Sequence, residues 1–144
     1  YSGNDVFVRD EWLEALLECF EIGDCGAATL ASSDLKKNPI GQLFGQRRIM
    51  EGIYGPFMMF EKGWLFDSKE FPCQFADADL VMRIYESGKR MYRNCRVVIE
   101  HLNRQTLSGE ENTEDFKRSR QKFMDRYLGS NLLIYRILSE GWII

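Results

Sequence analysis

The chain has 144 residues, of which 44% are hydrophobic and 13% aromatic, and its formal net charge is −3. This composition excludes a disordered chain and suits one domain with its own core. The acidic balance argues against a general nucleic-acid-binding protein, which needs a basic face for the phosphates. No apolar run approaches the roughly 20 residues of a membrane-spanning helix. We therefore expect a cytoplasmic protein that binds no nucleic acid and has no membrane span in this chain.

Hydrophobic spacing in the first third of the chain predicts a strand, a helix and a second strand. The strand covers residues 4–8, and the helix runs from its cap at Asp10 to about residue 20. Its predicted apolar face consists of Trp12, Leu13, Leu16, Leu17 and Phe20. Residues 24–32 are small and apolar, which is typical of a buried strand. Residues 33–53 combine Pro, Gly and charge and predict a long loop, which at this length is usually either functional or mobile.

The remaining elements alternate between strands and helices before a helical end. We predict a strand over 54–62, a helix over 77–89, a strand over 90–101, a flexible polar stretch over 102–113, and helices over 114–128 and 131–139. Leu80, Val81 and Ile84 share one face of the helix at 77–89, and Gly88 suits its carboxyl end. This order indicates an α/β fold with a mixed, mainly parallel sheet covered by helices on both faces.

Four cysteines are scattered along the chain, at Cys19, Cys25, Cys73 and Cys95, and none forms a Cys-x-x-Cys pair. An even number permits disulfides, but this spacing resembles no small secreted scaffold. We therefore expect reduced thiols in the core.

Asp5, Asp77 and His101 each lie where a predicted strand or helix begins or ends. Functional groups of open α/β sheets gather at such boundaries. Each residue also has a structural explanation. Asp5 is typical of a turn residue that bonds its own backbone, Asp77 of an N-cap or first-turn acid, and His101 of a hydrogen-bonded strand end.

Other charged residues have equally ordinary explanations. Asp79 and Arg83 are four residues apart on a predicted helix, which favours a surface ion pair. Arg47 and Arg48 are typical of solvated loop charges. Taken singly, none of these residues indicates an enzyme.

Four blocks of the chain nevertheless follow one another in a recognisable order. They are GNDV followed by WLEALLECF, then GPFMMFEKGWLFDSKEF, ADADLVMRIYESGKRMY and VVIEH. In this order they resemble the carboxy-terminal, acceptor-side half of inverting family 2 glycosyltransferases of the GT-A type. The resemblance covers roughly residues 1–107. It implies a GT-A-like partial domain over residues 1–113, with residues 114–144 as a helical segment packed on it.

The resemblance also implies roles for individual residues. Asp77 corresponds to the catalytic base, and Asp5 corresponds to the last acid of the family's DxD motif, which binds a divalent metal. His101 completes the metal site, with Mn²⁺ or Mg²⁺ as the ion. Arg47, Arg48 and Arg104 lie in the two predicted loops, and from that position we expect them to bind the donor diphosphate together with Asn4. The implied acceptor-binding residues are Gly55, Pro56, Phe57 and Asp79.

A protein of this family transfers a sugar, with inversion, from a nucleotide-diphosphate donor to an acceptor hydroxyl on a carbohydrate, a lipid-linked molecule or a protein. Gly3 and Ala76 stand where the family pattern has acids. A non-catalytic GT-A-like domain that binds a carbohydrate or a protein is therefore the alternative. An unrelated nucleotide-binding α/β domain is disfavoured, because the chain has no glycine-rich phosphate loop.

The family's first half, with its nucleotide-base pocket, has no counterpart before Tyr1. We therefore expect this chain alone to bind a nucleotide-sugar poorly and to be inactive without that half. We also expect an apolar sheet edge around Val6 and Val8 that favours self-association or a partner segment.

Overall fold

The computed structural model describes residues 2, 6–8, 10–33, 49–52, 55–72, 75–102 and 113–130. Within these ranges the chain forms five strands and three helices. They are β1 (Val6–Phe7), α1 (Trp12–Phe20), β2 (Cys25–Ser32), β3 (Ile49–Glu51), β4 (Met58–Phe60), α2 (Ala76–Glu86), β5 (Arg90–His101) and α3 (Glu114–Arg126). The predicted helix at 131–139 lies outside the described residues. None of the three helices is both long enough and apolar enough to cross a bilayer.

The strands form one mixed sheet in the order β1-β5-β2-β4, with β3 also paired to β5. The predicted α/β class with a mixed sheet between helices is confirmed. The prediction of a mainly parallel sheet is wrong, because only β2 and β5 run parallel and the other three pairings are antiparallel. A strand–helix–strand order gives parallel strands only when both strands run the same way. Here β1 runs antiparallel to β2, the strand that follows α1. Likewise β4 runs antiparallel to β5, the strand that follows α2.

Strand β3 lies inside the segment that we predicted to be a loop. Its three residues, Ile49 to Glu51, pair with Tyr92 to Asn94 of β5. Three residues are too few to establish a period-two pattern, so the pairing partner rather than the local sequence decides this strand. Conversely, the strand predicted over 54–62 is shorter, Met58–Phe60. Residues 34–48 of the predicted loop lie outside the described residues.

The core consists of one apolar cluster on each face of the sheet. Ala27 of β2 faces α2 and α3, whereas its neighbour Ala28 faces α1. This alternation follows from the period-two geometry of a strand. Leu80, Val81 and Ile84 of α2 are fully buried in the first cluster, as their spacing predicted.

Helix α1 differs from the prediction at its start and in the composition of its buried face. Its N-cap is Glu11 rather than Asp10. The buried residues are Ala15, Leu16 and Cys19. Two of the predicted face residues are instead largely outside the core, since Leu13 is 40% and Leu17 50% exposed. The buried face of α1 thus combines Leu16 with the small side chains of Ala15 and Cys19, and it is narrower than the predicted face.

The amino-terminal strand β1 lies at one end of the sheet order. Phe7 is 58% and Val8 43% exposed, whereas Val6 is half-buried against the α1 face. The described part of this edge is therefore apolar and accessible, as the sequence predicted.

The cysteines agree with the prediction where the structure describes them. Cys19 and Cys25 are buried free thiols, and Cys95 is a free, half-buried thiol. Burial raises the pKa of Cys19 to about 12 and that of Cys25 to about 11. Both side chains therefore stay protonated at neutral pH and act as small apolar core residues. Cys73 lies outside the described residues.

Gly55 marks a position where the backbone must approach a buried strand closely. A Cβ atom added there would lie 1.8 Å from Thr29 Oγ1 and 2.8 Å from Thr29 Cβ. Thr29 is fully buried in β2 and cannot move aside freely.

We expect Gly55→Ala to lower the free energy of unfolding by roughly 1–3 kcal/mol, the usual cost of overpacking a core. Gly23→Ala is the matched control, since nothing lies within 4 Å of an added Cβ there. Urea unfolding followed by circular dichroism measures both variants. Equal midpoints for Gly55→Ala and the wild type would contradict the close contact.

Candidate active site at the carboxyl edge of the sheet

The parallel strands β2 and β5 end on the same side of the sheet, at Ser32 and His101, and we call this side the carboxyl edge. A short connection links α1 to β2 and another links α2 to β5. Both helices therefore point their amino ends toward the carboxyl edge. Open α/β sheets bind ligands beyond the carboxyl ends of their strands, and helix amino ends favour anions there. The carboxyl edge is therefore the candidate active site.

His101 is held at this edge by backbone contacts. Val6 of β1 pairs with it in antiparallel register. The His101 N–H donates to Ser33 Oγ at 3.2 Å. Asp5, the chain neighbour of Val6, lies outside the described residues. The register thus puts the residue next to Asp5 opposite His101, and a shared metal site of Asp5 and His101 stays a prediction.

The predicted acceptor residues Gly55, Pro56 and Phe57 precede β4 and lie beside the second half of β2. Gly55 and Pro56 are buried, whereas Phe57 is half-buried. Thr29 Oγ1 donates to the Phe57 carbonyl at 2.8 Å. The Phe57 ring meets that of Trp12 edge to face, with 5.3 Å between centroids. Of the three predicted residues, Phe57 is therefore the one with a partly exposed side chain, and acceptor binding by it stays a prediction.

The N-terminal segment joins these two parts of the carboxyl edge. Ser2 forms an antiparallel bridge with Phe57, and Val6 pairs with His101. Between Ser2 and Val6 the sequence contains Asn4, a predicted donor ligand, and Asp5, a predicted metal ligand. Four predicted site residues besides Asp5 lie outside the described residues: Asn4, Arg47, Arg48 and Arg104.

Asp77 lies in the first turn of α2, one residue after the helix begins, and is half-buried. Its Oδ1 accepts a hydrogen bond from the N–H of Ala78 at 2.8 Å. The N-cap is Phe75, so the N-cap explanation for Asp77 is wrong and the first-turn position is correct. A carboxylate in the first turn of a helix interacts favourably with the helix dipole.

Both helices that point toward the carboxyl edge begin at a non-glycine residue in the left-handed region. Glu11 has φ 65° and Phe75 has φ 71°, and neither side chain caps its helix. Each such residue costs roughly 1–2 kcal/mol. The third helix, α3, begins conventionally, with Thr113 Oγ1 accepting from the N–H of Phe116 at 3.2 Å. Backbone strain of this kind clusters at functional sites, which supports the choice of this edge.

Asp79 is not the surface residue that its spacing with Arg83 predicted. The ion pair exists, with 2.8 Å between Arg83 Nε and Asp79 Oδ2, but Asp79 is fully buried. Its Oδ1 accepts from Arg126 Nη1 at 2.6 Å and from the Tyr127 hydroxyl at 2.7 Å. Burial and the hydrogen bond to Asp79 raise the pKa of Tyr127, which keeps its hydroxyl protonated. Both carboxylate oxygens are thus occupied, and acceptor binding by Asp79 would require this network to open.

The same network reaches the connector between β4 and α2. Arg126 Nη2 pairs with Asp67 Oδ2 at 3.0 Å, and the Arg126 guanidinium lies 5.0 Å from the centre of the Phe71 ring. The N–H of Glu70 and the side chain of Arg126 lower the pKa of Asp67. Arg83 Nη2 donates to the Leu65 carbonyl at 2.7 Å. The two arginines therefore join α2, α3 and the connector around one buried carboxylate.

The contacts of Arg126 and Tyr127 could not be predicted from the sequence, because no local pattern links these residues to α2. Arg126 is the last residue of a polar helix, where a basic residue normally needs no further explanation. An indication was available in Tyr127, since an aromatic residue directly after a polar helix suggests a buried contact.

Within the described residues, no group of three or more His, Cys, Asp or Glu side chains is arranged to hold a metal ion. Comparison of the chain with protein-family models, curated proteins and solved structures gives no match.

We expect Asp79→Asn to lower the free energy of unfolding by about 2–4 kcal/mol. Losing one partner of a buried pair costs roughly 3–5 kcal/mol, but both arginines here are about one-third exposed and keep some hydration. Asp115→Asn is the matched control, because it breaks an exposed pair with Arg118 and should cost less than about 1 kcal/mol. Thermal unfolding of both variants measures the difference, and similar losses would contradict a buried network.

Proposed function

We propose that this chain is the acceptor-side part of an inverting, metal-assisted glycosyltransferase of the GT-A type. It would transfer a sugar from a nucleotide-diphosphate donor to an acceptor hydroxyl. The observation that carries the proposal is the pairing of Val6 with His101. This pairing makes neighbours of the first and the last of the four family-like blocks. The second block lies beside β2, and the third begins a helix that points toward the same edge.

Asp77 is the proposed general base. In an inverting transfer, the acceptor hydroxyl oxygen attacks the anomeric carbon while the bond to the diphosphate oxygen breaks. The hydroxyl proton then passes to the base, and one carboxylate on the acceptor side is sufficient. Asp77 is suited to this role because it lies in the first turn of a helix whose amino end points toward the carboxyl edge, and because its side chain is only half-buried.

Asp5 and His101 are the proposed ligands of Mn²⁺ or Mg²⁺. One carboxylate suits either ion, and the imidazole of the half-buried His101 favours Mn²⁺. Such a donor set fits an ion that takes its other ligands from a diphosphate and water. When bound, the ion would offset the charge that develops on the leaving diphosphate. Arg47, Arg48 and Arg104 are proposed to bind the same diphosphate.

A non-catalytic domain that binds a carbohydrate or a protein is the second candidate. Gly3 and Ala76 favour it, since each replaces an acid of the family pattern. Turnover separates the two candidates. The complete polypeptide is incubated with Mn²⁺ and a panel of nucleoside-diphosphate sugars, and released nucleoside diphosphate is measured. Release supports the transferase, whereas no release with any donor overturns it.

Asp77→Asn should cut the transfer rate by about 10²–10⁴-fold, the usual contribution of a general base. Donor affinity should hardly change, because the base serves the acceptor. The control is Glu86→Gln, which removes an exposed carboxylate from the other end of the same helix. Rate at saturating donor and donor affinity are measured for each variant. If Asp77→Asn transfers at the wild-type rate, the base assignment is wrong.

Asp5→Asn should instead weaken donor binding in the presence of metal, because the amide is a poorer ligand than the carboxylate for a hard cation. Calorimetric titration of the donor, with Mn²⁺ and with a chelator, measures the effect. Excess Mn²⁺ should restore part of the affinity. Asp10→Asn, at an exposed carboxylate nearby in the chain, is the control. If donor affinity changes neither on metal removal nor in Asp5→Asn, the proposed metal site is wrong.

A further inference from the structure

Helix α3 contacts the N-cap of α2 through an aromatic cluster. The Phe75 ring lies 5.5 Å from that of Phe116 and 5.4 Å from that of Phe123, measured between centroids. Phe75 has φ 71° and makes no side-chain capping bond. A bulky residue does not prefer this conformation by itself. Packing against α3 is therefore what maintains the start of α2 in this form.

Helix α3 also holds α2 one turn later, at Asp79. The N–H of Asp79 donates to the Phe75 carbonyl at 2.9 Å, which closes the first turn. The buried Asp79 carboxylate then accepts from Arg126 at 2.6 Å and from Tyr127 at 2.7 Å. Both donors belong to the carboxyl end of α3 or the residue after it. The first turn of α2 is thus fixed to α3 at its first and its last residue.

Asp77 lies midway between these two attachment points. We propose that α3 positions the Asp77 carboxylate at the carboxyl edge, with Arg126 as the main positioning residue. This inference rests on the proposed function, in which Asp77 is the base. Arg126 acts through the first turn of α2 and is not itself a catalytic residue. Transfer is sensitive to this arrangement because a displacement of about 1 Å in a catalytic group can cost about 10²-fold in rate.

The competing explanation is that the network serves stability alone. The two explanations differ in how Arg126 and Asp77 combine. If Arg126 acts through Asp77, its loss lowers the rate only while Asp77 is the base. If Arg126 only stabilises the fold, its loss has the same effect whether Asp77 is present or not.

The test compares Arg126→Met with Arg118→Met in the complete polypeptide. Arg118 lies on the same helix, and its ion pair with Asp115 is exposed. Arg126→Met should lower kcat by about 10–100-fold with little change in the donor KM, and Arg126→Lys should recover part of it. Arg118→Met should leave both unchanged. In a protein that already carries Asp77→Asn, adding Arg126→Met should not lower kcat further. If Arg126→Met lowers kcat by the same factor in the wild type and in the Asp77→Asn variant, the proposal is overturned.

Hydrogen exchange gives a readout that needs no substrate. Arg126→Met should speed exchange of the amides of residues 78–80 by more than 10-fold relative to those of β2 and β5, and Arg118→Met should not. A uniform change over the whole domain would overturn positioning by α3. Tyr127→Phe, which removes the hydroxyl that donates to the carboxylate and the carbonyl of Asp79, repeats the comparison if Arg126→Met does not fold. A wild-type protein that transfers no sugar would overturn the proposed function, while the exchange result would still decide the role of α3.

Discussion

The pairing of β5 with three other strands is the constraint on which the rest of the structure depends. β2 lies along one side of β5, and β3 and β1 share the other side. The register with β2 shifts after Leu30 and Asn94, and Ala31 then pairs with Val98. Within this irregularity the N–H of Arg96 donates to Asn94 Oδ1 at 2.9 Å, while the buried Asn94 amide donates to the Ala15 carbonyl at 2.8 Å and to Glu18 Oε2 at 2.9 Å. One irregular position in β5 therefore also fixes α1 against the sheet.

A buried carboxylate has a comparable role on the other face. Asp79 would be costly to bury alone, and Arg83, Arg126 and Tyr127 offset that cost with well-directed hydrogen bonds. Such a network contributes less to net stability than to specificity, because it is satisfied in only one arrangement of α2 and α3. The left-handed N-cap at Phe75 lies next to this network. Strain and rigid support therefore occur together at the turn that carries Asp77.

The fold and the function are supported by different observations. A mixed sheet between helices is compatible with many unrelated activities, so the fold by itself selects none. The transferase proposal comes from four sequence blocks and gains support from the register of β1 with β5. The proposed site has only two carboxylates and one imidazole, namely Asp5, Asp77 and His101. Gly3 and Ala76 therefore weigh against the proposal, because a site with so few acids depends on each of them.

Elements with a local residue pattern could be predicted from the amino-acid sequence alone. The spacing of Leu80, Val81 and Ile84 predicted the buried face of α2, and the small apolar run of residues 24–32 predicted the buried strand that the structure has at Cys25–Ser32. Local patterns do not show which distant residue will cover a given side chain. Two residues four apart on a helix, such as Asp79 and Arg83, have the same spacing on a surface and in a core. Asp79 is buried because α3, which is distant in the sequence, packs over it. Strand direction and the short strand β3 were likewise decided by partners far along the chain, because a single strand gains its hydrogen bonds only when its neighbour is in place.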